Sequence, residues 1–152
     1  MSDYTESLKL MTELFGKDCE MALATAKGNV PTVRYVDTYY QDSRFYIVTD
    51  ENSQKAKDIL TNPHVALAIR ACRFTGIAIN IGHPLDASNQ MIRETLIKAF
   101  EPWYFAHNDE TNSQMCFIKI EVNNGIFGKE GSNNAYKVDF KNKIAEIVPA
   151  YA

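Results

Sequence analysis

Residues 19–50 read CEMALATAKGNVPTVRYVDTYYQDSRFYIVTD, and their texture decides the fold. Met21 to Ala26 is a strand signal. Lys27-Gly28-Asn29, with Pro31 close behind, is a turn. Thr32 to Tyr40 alternates and is rich in β-branched and aromatic residues, which suit a pleated, half-buried surface. Gln41-Asp42-Ser43 turns the chain again, into Arg44 to Thr49. Three such runs joined by short turns predict an antiparallel meander.

Working outward, Tyr4, Leu8, Met11 and Phe15 recur every three or four residues and predict a first amphipathic helix. Asp3 with Glu6 resembles a capping box, and Gly16 is a stop. Downstream, a short helix is expected over Gln54 to Thr61, with Ala56, Ile59 and Leu60 as its apolar side. Asn62-Pro63 ends it, because the residue before proline avoids helical dihedrals. His64 to Cys72 reads as a fourth strand, and Thr75 to Leu85 as a fifth with alternating Ile77, Ile79 and Ile81. Asp86 or Ser88 can cap a longer helix whose apolar face is Ile92, Leu96 and Ala99, with Pro102 as its boundary. Met115 to Val122 alternates as a sixth strand. Ala135 to Phe140 and Lys143 to Val148 flank the Lys141-Asn142 turn as closing strands.

The expected fold is therefore mainly β: six to eight antiparallel strands with three helices. That is too many short strands for a βαβ layout, and consecutive antiparallel strands remove exposed edges by closing into a barrel. No internal repeat or Pro/Gly-rich linker interrupts the chain, so one domain over residues 1–152 is expected.

Composition narrows the function classes. Sixteen basic and 19 acidic residues leave a formal net charge of −3, which argues against a nucleic-acid partner. No apolar run approaches the roughly 20 residues that cross a bilayer, so no membrane partner is expected. Met1 to Leu10 lacks a basic-then-apolar signal pattern. Cys19, Cys72 and Cys116 are odd in number and widely spaced, with no CxxC pair, which fits free thiols in a reducing cytoplasm. His64, His83 and His107 do not fall at helical metal-ligand spacing, so no metal site is expected.

One constellation carries chemistry. In Thr49-Asp50-Glu51-Asn52-Ser53-Gln54-Lys55 a strand ends, a polar turn follows, and a helix begins at Ser53. The first helical turn has free N–H groups and a partial positive charge, where acidic residues are favoured. Lys55 and Lys57 stand there instead. Either both point into water, or the Thr49 and Ser53 hydroxyls, the free N–H groups and Lys55 grip an anion such as phosphate. Arg34 lies mid-strand in a run that is otherwise mostly uncharged. It is either on an exposed strand face or a bidentate phosphate ligand. Pairing across the Gln41–Ser43 turn places Arg34 close to Thr49.

These fragments in this order resemble the pyridoxamine 5′-phosphate oxidase-like FMN-binding split-barrel superfamily. They are Met21 to Thr25, Pro31-Thr-Val-Arg34-Tyr-Val, Phe45-Tyr-Ile-Val-Thr49, Ser53-Gln-Lys55 and Asn62-Pro63-His-Val-Ala-Leu67. The resemblance runs from about residue 20 to 85, and the chain looks most similar to the short general-stress and nitroimidazole-resistance-type branch. It implies a split β-barrel homodimer with FMN at the subunit interface. It also implies phosphate contacts from Arg34, Ser53, Lys55 and Thr49, and backbone around Tyr35, Val36 and Val48 flanking the isoalloxazine. An FMN-dependent oxidoreductase acting with a small-molecule substrate or electron donor is expected. A non-catalytic flavin-binding stress protein and a haem-binding split barrel are the alternatives. Trp103-Tyr104-Phe105 either reaches a second subunit or packs the end of the long helix onto the barrel. The vitamin-processing oxidases carry further basic residues late in the chain. No comparable Arg/His motif follows here, so pyridoxamine phosphate oxidation is not expected.

Overall fold

The computed structural model describes residues 2–152. In order they form α1 (Asp3–Phe15), β1 (Cys19–Lys27), β2 (Val30–Gln41), β3 (Arg44–Asp50), α2 (Gln54–Thr61), β4 (His64–Ile69) and β5 (Cys72–Gly82). A 3-10 turn at Ala87–Asn89 leads into α3 (Gln90–Ala99), α4 (Trp103–His107), β6 (Met115–Phe127), β7 (Asn134–Asp139) and β8 (Ile144–Pro149). The strands make one antiparallel sheet in the order β3-β2-β1-β4-β5-β6-β7-β8, and β3 also pairs with β6. That pairing closes six strands into a barrel and leaves β7 and β8 as an extension beyond it.

Alternation along each strand builds the interior. Met21, Leu23 and Thr25 of β1 face inward and are buried. The core they join is aromatic, with Phe45, Phe74 and Phe127 buried. Phe15 of α1 meets Phe45 and Phe74 edge-on, at centroid distances of 5.8 and 5.4 Å. Each such buried ring contributes roughly 1.5–3 kcal/mol. Strand directions put α1 at one end of the barrel and α2 at the other, where Ala56 and Ile59 are buried. Gly125 of β6 lies so close to Phe74 that a Cβ there would run into the ring.

A second cluster covers the outer face of β3 and β6. Leu96 and Phe100 of the α3 region and Tyr104 of α4 pack on Tyr46, Met115 and Phe117. Gly82 has φ +100°, which lets the chain leave β5 sharply toward this layer. The loop before β6 is tied down by Glu110, which accepts two bonds from Arg93 at 2.7 and 2.8 Å and one from Tyr104 Oη at 3.0 Å.

Several expectations are corrected by these contacts. The hydroxyl of Ser2, rather than a capping box from Asp3, accepts from Thr5 N at the start of α1. Leu60 is 83% exposed and not part of the α2 apolar side. The fourth strand stops at Ile69, and a turn at Arg70 and Ala71 separates it from Cys72. Ile77, Ile79 and Ile81 do alternate, but on the face opposite the buried Phe74 and Ala78, and Ile79 is exposed. Neither Asp86 nor Ser88 caps α3; Asp86 accepts instead from His83 N. A fourth helix is present, because Trp103–His107 folds separately after Pro102 and packs Tyr104 onto the barrel.

Helix α4 also meets an acidic group. Trp103 Nε1 donates to Asp18 Oδ2 at 2.6 Å. Asp18 hydrogen-bonds Asp37, and Glu20 is the register partner of Asp37, with His107 nearby. Burial, then the charge and hydrogen bond of Asp18, then Glu20, push Asp37 up to about 6, against the weaker opposing effect of His107. A carboxyl that binds its proton more tightly when folded loses stability as pH rises through that window. Unfolding free energy is expected to fall between about pH 4 and pH 6 and to level off above. In Asp37→Asn that decline should be reduced, as read by urea denaturation across the same range.

Candidate functional site

The barrel is split. β2 pairs with β3 only at Tyr39–Tyr46, Tyr40–Phe45 and Gln41–Arg44. On its other edge β3 pairs with β6 along its whole length, from Arg44–Glu121 to Asp50–Met115. Val30–Thr38 consequently have register partners only on β1, and Ile47–Asp50 only on β6. Two strand edges diverge, and α2 sits at the open end. The expectation that Arg34 lies beside Thr49 through continuous hairpin pairing is thereby corrected. The register needed for it ends at Tyr39.

Arg34 is still brought to that end, from the β1 side. It stands opposite Leu23 and points inward. Nη1 donates to Thr25 Oγ1 at 2.8 Å and to the Leu23 carbonyl at 3.3 Å. Nη2 is buried without a hydrogen-bond partner among the described residues, 3.9 Å from Asp58 Oδ2. Asp58 of α2 is 2% exposed and holds both oxygens in hydrogen bonds: Thr25 Oγ1 donates to Oδ2, and Gln54 Nε2 to Oδ1, each at 2.7 Å. Those two bonds keep its carboxyl below the ordinary range, so it is ionised.

The strand–helix junction supplies the rest. Ser53 is the N-cap of α2; its Oγ accepts from Ala56 N at 3.3 Å and from Thr49 Oγ1 at 3.1 Å. Lys55 is half-buried in the first turn of α2. Burial lowers its pKa, the Arg34 charge lowers it further, and Cys116 acts the other way. Cys116 is the register partner of Thr49 and is pushed up to about 11 by burial, with Glu51 and Asp50 adding and Lys55 opposing. Lys55 thus lies within electrostatic reach of both Arg34 and Cys116. Lys57 is exposed.

The remaining site residues divide between faces. Val36 is half-buried against the main core. Tyr35 is 75% exposed on the outer face. Val48 packs on the second cluster. Their side chains do not converge with the cations, although their backbones border the split. Thr25, Gln54 and Asp58 belong to the site and were not singled out from the sequence. The available signal was an acidic residue between Ala56 and Ile59, one turn after Gln54.

The family model described as pyridoxamine 5′-phosphate oxidase matches residues 11–125. The chain belongs to that family. Among solved structures, general stress protein 26 from Bacillus anthracis is 18% identical and superposes with a TM-score of 0.59, over 93% of this chain and 96% of that one. A NimC/NimA family protein from Clostridium acetobutylicum is 19% identical, with a TM-score of 0.61 over 95% and 94%. An FAD-binding protein from Mesorhizobium loti is 17% identical, with a TM-score of 0.59 over 82% and 92%. At these identities the likeness shows the fold. No curated protein sequence matches significantly.

Among the described residues no group of three or more His, Cys, Asp or Glu is placed to hold a metal ion, and no helix is long and apolar enough to cross a membrane. His83 has both ring nitrogens engaged: Nδ1 accepts from Leu85 N at 3.0 Å, and Nε2 donates to the Asn112 carbonyl at 3.1 Å. Arg34, Lys55, the Asp58 carboxylate, the Thr49–Ser53 hydroxyl pair and the N-terminus of α2 thus share one end of the barrel, with an orphaned N–H group on Arg34, a donor set suited to an anion. Inorganic phosphate is expected to raise the melting temperature, because a ligand that binds only the folded state stabilises it. Lys55→Ala should remove most of that increment in a thermal shift titration.

Proposed function

We propose that this protein binds FMN as a homodimer and acts as a flavin-dependent oxidoreductase on a small molecule. The observation that carries the reading is the buried Arg34 Nη2, without a hydrogen-bond partner and within electrostatic reach of Lys55. A phosphate monoester satisfies that N–H group, restores the charge balance and relieves the repulsion between two cations held out of water. Arg34 and Lys55 would hold the phosphate by charge-assisted bonds, with Ser53 and Thr49 supplying hydroxyls. The unpaired edges of β2 and β3, near Tyr35, Val36 and Val48, offer backbone donors and acceptors to a flat polar ring. Family membership and an FAD-binding structural neighbour support a flavin as the phosphate's carrier.

Bound flavin supplies the electron-transfer chemistry, and the protein supplies position and electrostatics. The charge at the α2 N-terminus would anchor one end of the ligand.

The outer face of β1, β2 and β4 supports the dimer. Ala22, Ala24, Ala66 and Ala68, with Val33, line one part of a groove of about 680 Å³ that continues across β5 to β8. Val33 and Tyr35 are 66% and 75% exposed and flank Arg34 on the same strand. Small residues permit close approach of a second chain, and a two-fold copy places the same face against itself.

Purified or reconstituted protein should show the twin-banded flavin absorption. Arg34→Ala and Lys55→Ala should each weaken FMN binding by about 1.5–3 kcal/mol, the value of a charge-assisted hydrogen bond, in a fluorescence titration. Unchanged affinity in both would remove the phosphate site from consideration. Light scattering should give a dimer mass for the wild type and a monomer mass for a Val33→Glu, Tyr35→Asp double variant. A flavin-loaded wild-type monomer would refute the interface.

A further inference from the structure

The geometry points to Asp58 as the positioning residue of the phosphate site, acting through Thr25 on Arg34; this rests on the FMN reading above. Asp58 does not face the ligand as a donor, since a carboxylate repels phosphate. Its importance lies in what it does to Arg34 before any ligand arrives.

The bonds run in one direction. Gln54 Nε2 donates to Asp58 Oδ1, and Thr25 Oγ1 donates to Asp58 Oδ2. With its only proton committed to Asp58, the Thr25 oxygen is left as an acceptor, and Arg34 Nη1 fills that role. The Leu23 carbonyl takes the same nitrogen from the strand side. Two hydrogen bonds to β1, the first of them held by Asp58 of α2 through Thr25, therefore fix Nη1 of the guanidinium, and Nη2 is left over with its hydrogen-bonding capacity unused. Asp58 Oδ2, at 3.9 Å, attracts Nη2 without consuming it.

Without that carboxylate the apo site holds Arg34 and Lys55 as uncompensated neighbouring cations. Arg34, whose side chain is only 21% exposed, would relieve the repulsion by swinging toward water. Thr25 would also lose the acceptor that orients its hydroxyl. FMN binding would then have to gather and order an arginine that the wild type holds in place. Direct repulsion between Asp58 and phosphate acts the other way. Positioning outweighs it because both Asp58 oxygens are already bonded to protein donors, which disperse the charge away from the ligand.

The chain's own register places this relay. Thr25 stands near the end of β1, opposite Thr32, two residues from Arg34 on β2. Gln54 and Asp58 are four apart on α2 and so share one face. The helix that presents Lys55 to the ligand thus also sets the arginine on the neighbouring strand, and the two phosphate cations are positioned as a unit.

The test compares FMN with riboflavin, which lacks the phosphate, by flavin fluorescence titration of wild type, Asp58→Asn and Thr25→Val. The expected result is a loss of FMN affinity of at least about tenfold in Asp58→Asn and a smaller loss in Thr25→Val, with riboflavin affinity within about twofold of wild type. Equal loss of both flavins in the two variants would mean a structural role and overturn the proposal. Unchanged or tighter FMN binding in both would overturn it as well. Should Asp58→Asn not fold, Thr25→Val decides alone, because it cuts the relay while leaving the carboxylate. A wild type that binds no flavin overturns the FMN reading instead. Inorganic phosphate is then the probe, and both variants must lose its thermal shift if Asp58 positions Arg34.

Discussion

Strand β3 pairs on both edges, with β6 along its full length across a separation of about seventy residues in sequence, and with β2 over its first three residues alone. The site follows from that short second pairing. Pairing with β6 closes six strands into a barrel and leaves free edges only at the split and on the β7–β8 extension. Divergence from β2 opens the split, and the chain leaving β3 must cross the open end as α2. The helix that bridges the gap is also the helix whose N-terminus carries Ser53 and Lys55.

Closure has an energetic counterpart in the two apolar clusters. The inner one packs Phe15, Phe45 and Phe74 against one another, with Phe127 on Phe74. The outer one clamps α3 and α4 onto Tyr46 and Phe117. β3 lies between them, with Phe45 and Ile47 facing in and Tyr46 and Val48 facing out. A strand packed on both faces tolerates little displacement. The junction at Thr49 is consequently held firmly where the cations gather.

Charge is arranged with similar economy. Arg34, partly buried, stands 3.9 Å from the buried carboxylate of Asp58, whose two oxygens are each hydrogen-bonded, and half-buried Lys55 lies within electrostatic reach of Arg34. Desolvation offsets much of what such an ion pair gains. Its value is in leaving a defined excess of positive charge and one free N–H group at a fixed place. The acidic group at Asp18, Glu20 and Asp37 lies near the opposite end of β1, so the two charge systems are kept apart by the length of the strand.

The local features were legible in the amino-acid sequence. Alternation and turn residues marked the meander from Cys19 to Asp50. Pro63 and the cap at Ser53 bounded α2 at Gln54–Thr61, as found. The cation pair, too, was visible, because lysines at a helix N-terminus and an arginine in an otherwise mostly uncharged strand each break a local preference. What the sequence could not decide depended on contacts between distant segments. The register of β3 against β6 determined how far β2 and β3 stay together, and so how Arg34 reaches the site. The outward direction of Ile77, Ile79 and Ile81 came from the bulges and closure of the barrel. Thr25 and Asp58 share no local motif. They meet because β1 and α2 are brought together at the same end of a closed barrel, and only the tertiary structure supplies that end.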